Sequence, residues 1–172
     1  MKIIKRIKET SADGPGIRYA IYVAGCTHQC PGCHNPETWD FNQGQKLDND
    51  LIVEMMKEIQ SNPLITGITI SGGDPMHPKN AIDLLNLLDR LKDLNKDIWV
   101  YTGYTIEEIF ESASFQTSAL RNIDILVDGK FDKNLREYSS FRGSSNQKFV
   151  DVKQTMNHAF DNFEFKIFEK TF

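Results

Sequence analysis

Outside residues 26 to 33 the sequence contains no cysteine, and inside that window it has only three, Cys26, Cys30 and Cys33. A disulfide framework, which needs pairs spread along the chain, is excluded. Long apolar runs are also missing: none approaches the roughly 20 residues of a membrane-spanning helix. Positive charge is not in excess either, with 20 Lys and Arg against 24 Asp and Glu and a formal net charge of −4. Composition therefore offers no electrostatic case for nucleic acid or a membrane surface as partner. The first residues, "MKIIKRIKETSADG", carry charge but no apolar core of a secretory signal. Repeats, low-complexity tracts and linkers are absent from the sequence. The expectation is a single cytoplasmic domain over residues 1–172, in a reducing compartment where clustered thiols serve a metal or catalysis.

What is present alternates. "IRYAIYVAG" (17–25) is β-branched and aromatic and predicts a buried strand. "LDNDLIVEMMKEIQSN" (47–62) sets Leu51, Ile52, Met55, Met56 and Ile59 at helical spacing, with Asp48 as N-cap. "LITGITISGG" (64–73) predicts a strand running into a glycine turn. "NAIDLLNLLDRLKDLN" (80–95) predicts a helix whose leucines, with Ile82, pack the core. "DIWVYTGY" (97–104) reads as a strand, "TIEEIFES" (105–112) as a short helix and "NIDILVDGKF" (122–131) as a strand with a turn. "KFVDVKQT" (148–155) and "FEFKIFEK" (163–170) read as further strands, and residues 132–146 as a long polar loop. Such alternation predicts an α/β fold with a parallel sheet and crossover helices. Ligands in these folds sit at the carboxyl ends of the strands. There the sequence places four polar or glycine-rich clusters, at 26–33, 71–75, 102–104 and 128–130.

Thiolates select soft metals: zinc, cuprous copper or iron–sulfur. A structural zinc site would need His28 or His34 to complete a Cys₃His set within one short loop, with nothing for the zinc to tie together. "CPGCH" matches a haem-attachment pattern without an export signal or distal ligand. "CPGC" as a redox pair leaves Cys26 idle. A [4Fe–4S] cluster ordinarily takes four cysteines. Three leave one iron with an open position, as a catalytic metal needs.

Cys-x₃-Cys-x₂-Cys after a first strand resembles the radical S-adenosylmethionine superfamily. In that superfamily the open iron of a [4Fe–4S] cluster is chelated by the amino and carboxylate groups of S-adenosylmethionine. "SGGDP" (71–75) resembles its Gly-Gly-Glu motif, with Asp where Glu is commoner. The resemblance makes Gly72, Gly73 and Asp74 cofactor-binding; the glycines would let backbone approach a ligand, and the aspartate would take an ammonium. "DGPGIR" (13–18), "HNPETWD" (34–40) and "YTGY" (101–104) resemble the subgroup that installs a glycyl radical on a partner enzyme. "CTHQCPGC", "NPETW" and "RGSSNQ" (142–147) are similar to its branch acting on the anaerobic (class III) ribonucleoside-triphosphate reductase. Gly32 stands where the superfamily usually has an aromatic residue, and His34 or Trp39 is expected to cover that face. Asp128 and Lys130 of "VDGK" match the Asp-x-Lys of related activases at the cofactor site; a turn with a solvent-facing lysine is the competing reading.

The resemblance implies a partial, open (β/α) barrel, since a full eightfold barrel takes about 250 residues. It implies a radical oxidoreductase in which a reductant such as flavodoxin loads an electron onto the cluster of Cys26, Cys30 and Cys33. S-Adenosylmethionine is then cleaved, and hydrogen is removed from a glycine of the reductase. Asp13, Gly14, Gly16 and Arg18 would hold that visiting loop. Arg142 reads either as an anion anchor or as a loop residue, and His77 and His158 as surface residues. An activase for another glycyl-radical enzyme, of the pyruvate formate-lyase type, is the closest competing function. An iron–sulfur electron carrier and a zinc-binding module are more distant ones.

Overall fold

In the computed structural model the described residues are 1–112, 114–138, 141–162 and 164–172. Seven strands form one mixed sheet in the order β3-β1-β2-β4-β5-β6-β7. They are β1 (Lys2–Thr10), β2 (Ile17–Val23), β3 (Gln45–Lys46), β4 (Ile65–Gly72), β5 (Asp97–Tyr101), β6 (Ile125–Asp128) and β7 (Lys148–Asp151). The central strands β2, β4, β5 and β6 are mutually parallel. The pairs β1–β2, β1–β3 and β6–β7 are antiparallel. The sheet is open, with β3 and β7 as its two edges.

Five helices accompany the strands among the described residues: α1 (Asn49–Ser61), α2 (Pro78–Leu91), α3 (Ile106–Glu111), α4 (Phe115–Ala119) and α5 (Val152–Asn162). Helix α1 starts at the expected cap, where Asp48 accepts from the Leu51 N–H at 2.9 Å. It buries Leu51, Ile52, Met55 and Ile59. Helix α2 buries Leu84, Leu87, Leu88 and Leu91 but leaves Ile82 half exposed. Strand alternation sorts the sheet's residues into two layers. Tyr19, Ile21, Ile68, Ile70, Ile98, Val100 and Leu126 join the helices in the main core. Trp99, Ile125, Val127 and Phe149 form a smaller cluster. Among the described residues no helix is long and apolar enough to cross a membrane.

Three expectations are corrected. "KFVDVKQT" is a strand only to Asp151; helix α5 begins at Val152, because Asp151 caps it by accepting from the Gln154 N–H at 2.9 Å. The stretch 163–170 forms no strand among the described residues, Phe163 lying outside them. It meets β7 through the Asp151 N–H to Phe168 carbonyl and Lys170 N–H to Phe149 carbonyl bonds, while Phe165 and Ile167 pack on the core. His77 is buried, not superficial: Nδ1 accepts from the Lys79 N–H at 3.2 Å, and burial lowers its pKa. Strands β1 and β3 and helix α4 escape sequence reading. Strand β1 fully buries only Ile3 and carries charge along most of its length, so it lacks a clean apolar alternation.

Candidate functional site

The four parallel strands end side by side, and the polar clusters that follow them meet. Strand β2 runs through Gly25 into the cysteine loop. Gly25 and Cys26 donate to the carbonyls of Thr38 and Trp39 at 2.7 and 3.1 Å, so the "NPETW" segment braces the loop's first residues. Cys26, Cys30 and Cys33 are free thiols, each half-buried. Burial pushes the Cys26 and Cys30 thiols up. Backbone N–H groups oppose this, those of His28 and Gln29 at Cys26 and that of Phe131 at Cys30. The Asn35 N–H lies 3.4 Å from the Cys33 sulfur. Each sulfur thus faces at least one amide, and such donors orient and stabilise metal-bound thiolates. Gln29 reaches its place with a left-handed φ of 48°.

Among the described residues no three His, Cys, Asp or Glu side chains are set as ligands of one metal ion. A [4Fe–4S] cluster takes one thiolate per iron, and three free thiols on one loop fit such a donor set.

Asp74 is fully buried and braces this loop. Its Oδ1 accepts from the Met76 N–H (2.9 Å) and the Thr102 hydroxyl (2.8 Å). Its Oδ2 accepts from the Gly103 N–H (3.0 Å) and lies 2.7 Å from His28 Nε2. His28 packs edge-on against Tyr104, with ring centroids 4.7 Å apart. Asn80 donates to the carbonyls of Ala24 and Asp74, both at 3.0 Å. Asp74 thus has its carboxylate engaged by four groups of the chain and braces the cysteine loop against the β5 turn. The glycines before it are also explained by chain packing. A Cβ on Gly72, whose φ is +103°, would lie 2.7 Å from the Val23 backbone, and one on Gly73 would lie 2.6 Å from the Gly25 carbonyl oxygen.

Residues 12–150 match the family described as a 4Fe-4S single cluster domain. The anaerobic ribonucleoside-triphosphate reductase-activating protein of Escherichia coli (strain K12) is 42% identical over 139 residues, 78% of this chain and 88% of that protein. Proteins of the same name from Enterobacteria phage T4 and Haemophilus influenzae are 38% and 39% identical, covering 79% and 78% of this chain and 85% and 88% of their own lengths. The chain belongs to this family of 4Fe-4S activating proteins. The matched span contains all three thiols, Asp74 and every other expected site residue, and it stops just before α5.

Beside Cys33 lies a cleft of about 470 Å³ in this family member, lined by Asp13, Tyr22, His34, Ser71, Tyr101 and Phe131 among others. Asp13 accepts from the Tyr22 and Thr10 hydroxyls at 2.5 and 2.8 Å. Burial, reinforced by that carboxylate, pushes the Tyr22 phenol well above its usual range. Arg18 is not in the cleft. It is wholly buried, donating to Thr69 Oγ1 (2.7 Å), Asp97 Oδ2 (3.0 Å) and the Ile68 carbonyl (2.8 Å), over the Trp99 ring. Gly14 makes room for it, since a Cβ there would lie 2.6 Å from Arg18 Cδ; one on Gly16 would meet Thr66 Oγ1 at 2.3 Å. Arg18 and Gly14 are thus packed inside the chain, Gly16 is exposed, and of the four residues expected to hold a visiting loop only Asp13 lines the cleft.

Asp128 and Lys130 do not share a face. Strand β6 ends at Asp128, and Gly129 turns the chain with φ +94°. Asp128 is buried and accepts from the Ile106 N–H at the start of α3 (2.8 Å); burial raises its pKa. Lys130 is exposed, on the turn that lies beside Cys30. His34 is exposed, with its ring 5.4 Å from that of Phe131 and Nε2 against the Arg136 guanidinium. Phe131, not Trp39, approaches Gly32: its ring would lie 3.8 Å from a Cβ there. Arg142 takes an internal carboxylate, that of Glu137, at 2.7 Å. Sequence reading missed His28 as a brace and Phe131 as a wall. Neither stands at a telling spacing, and each is defined by a segment far away in the chain.

Proposed function

We propose that this chain activates an anaerobic ribonucleoside-triphosphate reductase as a cytoplasmic radical S-adenosylmethionine enzyme, working as one domain. The observation that carries the reading is the cysteine loop itself: three free thiols on one loop at the carboxyl ends of parallel strands, with Cys33 lining a cleft. The relatives, named as activating proteins of the anaerobic ribonucleoside-triphosphate reductase, supply the partner. When bound, a [4Fe–4S] cluster and S-adenosylmethionine supply the chemistry: one-electron cleavage of the sulfonium and removal of hydrogen from a glycine of the reductase.

The chain's residues do the rest. Cys26, Cys30 and Cys33 would hold the cluster through their three thiolates. The backbone around Gly72 and Gly73 lies beside that loop, and Asp74 with His28 keeps the loop in place. Asp13 and Tyr22 offer polar groups in the cleft that admits the reductase segment. Flavodoxin is the proposed electron donor.

Anaerobically reconstituted protein is expected to hold about four irons per chain, to form 5′-deoxyadenosine on reduction, and to raise a glycyl-radical signal in electron paramagnetic resonance when the reductase is added. Stoichiometric zinc in place of iron, or cofactor cleavage with no signal on the reductase, overturns the reading.

A further inference from the structure

The cysteine loop has two solvent-facing sides, and only the cleft is accounted for. Within the loop the cysteines are half-buried, whereas Pro31 and Gly32 are exposed. This turn borders a separate depression of about 320 Å³, lined by Pro31, Lys130, Phe131, Asp132, Lys133 and Asn134 among others. Phe131 lines both hollows and forms the wall between them. The two sides differ in charge. The charged residues lining the cleft, Asp13, Glu137 and Arg142, are net negative, while Lys130 and Lys133 flank the turn with Asp132 between them. Both lysines are exposed, and among the described residues neither has a carboxylate partner. Asp132 lines the same depression and accepts from the Asn134 N–H at 2.8 Å; two lysines against one carboxylate leave the turn net positive. A basic patch on a chain of net charge −4 is a local feature, not a consequence of composition.

We propose that the Pro31–Gly32 turn, with Lys130 and Lys133 beside it, is the docking face for a protein electron donor with an acidic surface. The inference rests on the reading that the cysteines hold a cluster reduced from outside. A Cβ on Gly32, the residue before Cys33, would lie 3.6 Å from Lys133 Cβ and 3.8 Å from the Phe131 ring, so the lysine-bearing turn packs against the cysteine loop itself. A donor seated there approaches the cluster without occupying the cleft that the cofactor and the reductase need. The step is a one-electron transfer: the donor's reduced flavin is oxidised and the bound cluster reduced, with no bond made or broken on this chain. Small, charge-steered contacts are usual for such transient redox encounters.

The test is stopped-flow reduction of the reconstituted protein by photoreduced flavodoxin, with calorimetric titration of oxidised flavodoxin alongside. Lys133→Glu is expected to slow flavodoxin-driven reduction about fivefold or more at low ionic strength, with the difference fading by about 0.5 M salt. Its flavodoxin affinity is expected to fall in parallel, while reduction by dithionite is unchanged. Arg121→Glu makes the same charge change beside Asp97 and Asp124, at the opposite end of the strands, and is expected to change neither rate. Equal slowing by the two variants, or none by Lys133→Glu, overturns the docking face. Loss of dithionite reduction in Lys133→Glu also overturns it, by assigning that residue to holding the cluster. A wild-type chain that takes no electron from dithionite overturns the cluster reading itself.

Discussion

Asp74 shows how a motif residue acquires its role. Four groups converge on its carboxylate, and they come from the cysteine loop, the β4 loop and the β5 loop. Asp74→Asn presents an NH₂ to one of those pairs and leaves at least one backbone N–H without an acceptor. The expected cost is about 1–3 kcal/mol, read from urea unfolding of the cluster-free protein, with faster alkylation of Cys26. An unchanged midpoint would show that the carboxylate is free for another task. Two glycines give a graded comparison. Gly73→Ala puts a Cβ 2.6 Å from a backbone carbonyl, where little can move, whereas at Gly32 the nearest atom is Lys133 Cβ at 3.6 Å and only the φ of +77° opposes a side chain. Gly32→Ala is expected to cost about 1–2 kcal/mol. Gly73→Ala is expected to cost clearly more and to reduce iron uptake on reconstitution.

At the scale of elements, the join of β7 to α5 shows where pattern reading stops. Alternation through "KFVD" is that of a strand, and the following "VKQT" continues it closely enough to hide the helix start. The Asp151 carboxylate decides the matter by capping α5 and pairing with Lys170 at 3.0 Å. Burial alone would raise the Asp151 pKa, but the Gln154 N–H and the Lys170 ammonium outweigh it, and the net shift is downward. A carboxyl whose folded pKa lies below its unfolded value stabilises the fold above the unfolded pKa, and this contribution is lost as pH falls through the folded one. Asp151→Ala is therefore expected to lower stability by about 1 kcal/mol near neutral pH. Its gap from the wild type should close in acid below the usual carboxylate range. Thermal midpoints across pH check this, and a gap that persists in acid counts against the capping account.

For the whole molecule, the sheet is held across its parallel centre by Arg18, which joins β2 to β4 and β5 through Thr69, Ile68 and Asp97. Arg18→Ala leaves buried acceptors unpaired and a void beside Trp99. Asp97 keeps solvent access, so the cost comes from the buried Thr69 and Ile68 acceptors and the void, about 1–3 kcal/mol, and the variant is expected to unfold at lower denaturant, with cluster retention and reductase activation falling together. Loss of activation alone, in a variant as stable as the wild type, would restore Arg18 to the partner-binding role that its place in "DGPGIR" implied.

Local order along the chain determined the layout. The strand–helix rhythm imposes parallel neighbours, because short crossover connections return each strand in the same direction. Parallel neighbours then bring the cysteine loop, the glycine turn of β4 and the β5 and β6 turns to one edge. The odd count of thiols in eight residues singles out the loop proposed to hold the cluster, since no other segment could supply thiolate ligands. What each polar side chain does was left to tertiary structure. Asp74, Arg18 and Asp128 sit in motif-like stretches that read the same whether a side chain faces a ligand or the chain's own backbone. The carboxylate that takes Arg18 lies 79 residues away. Asp128 is taken by the start of a helix 22 residues earlier. A buried charge must find its partner somewhere, and only the packed sheet shows that these partners are internal.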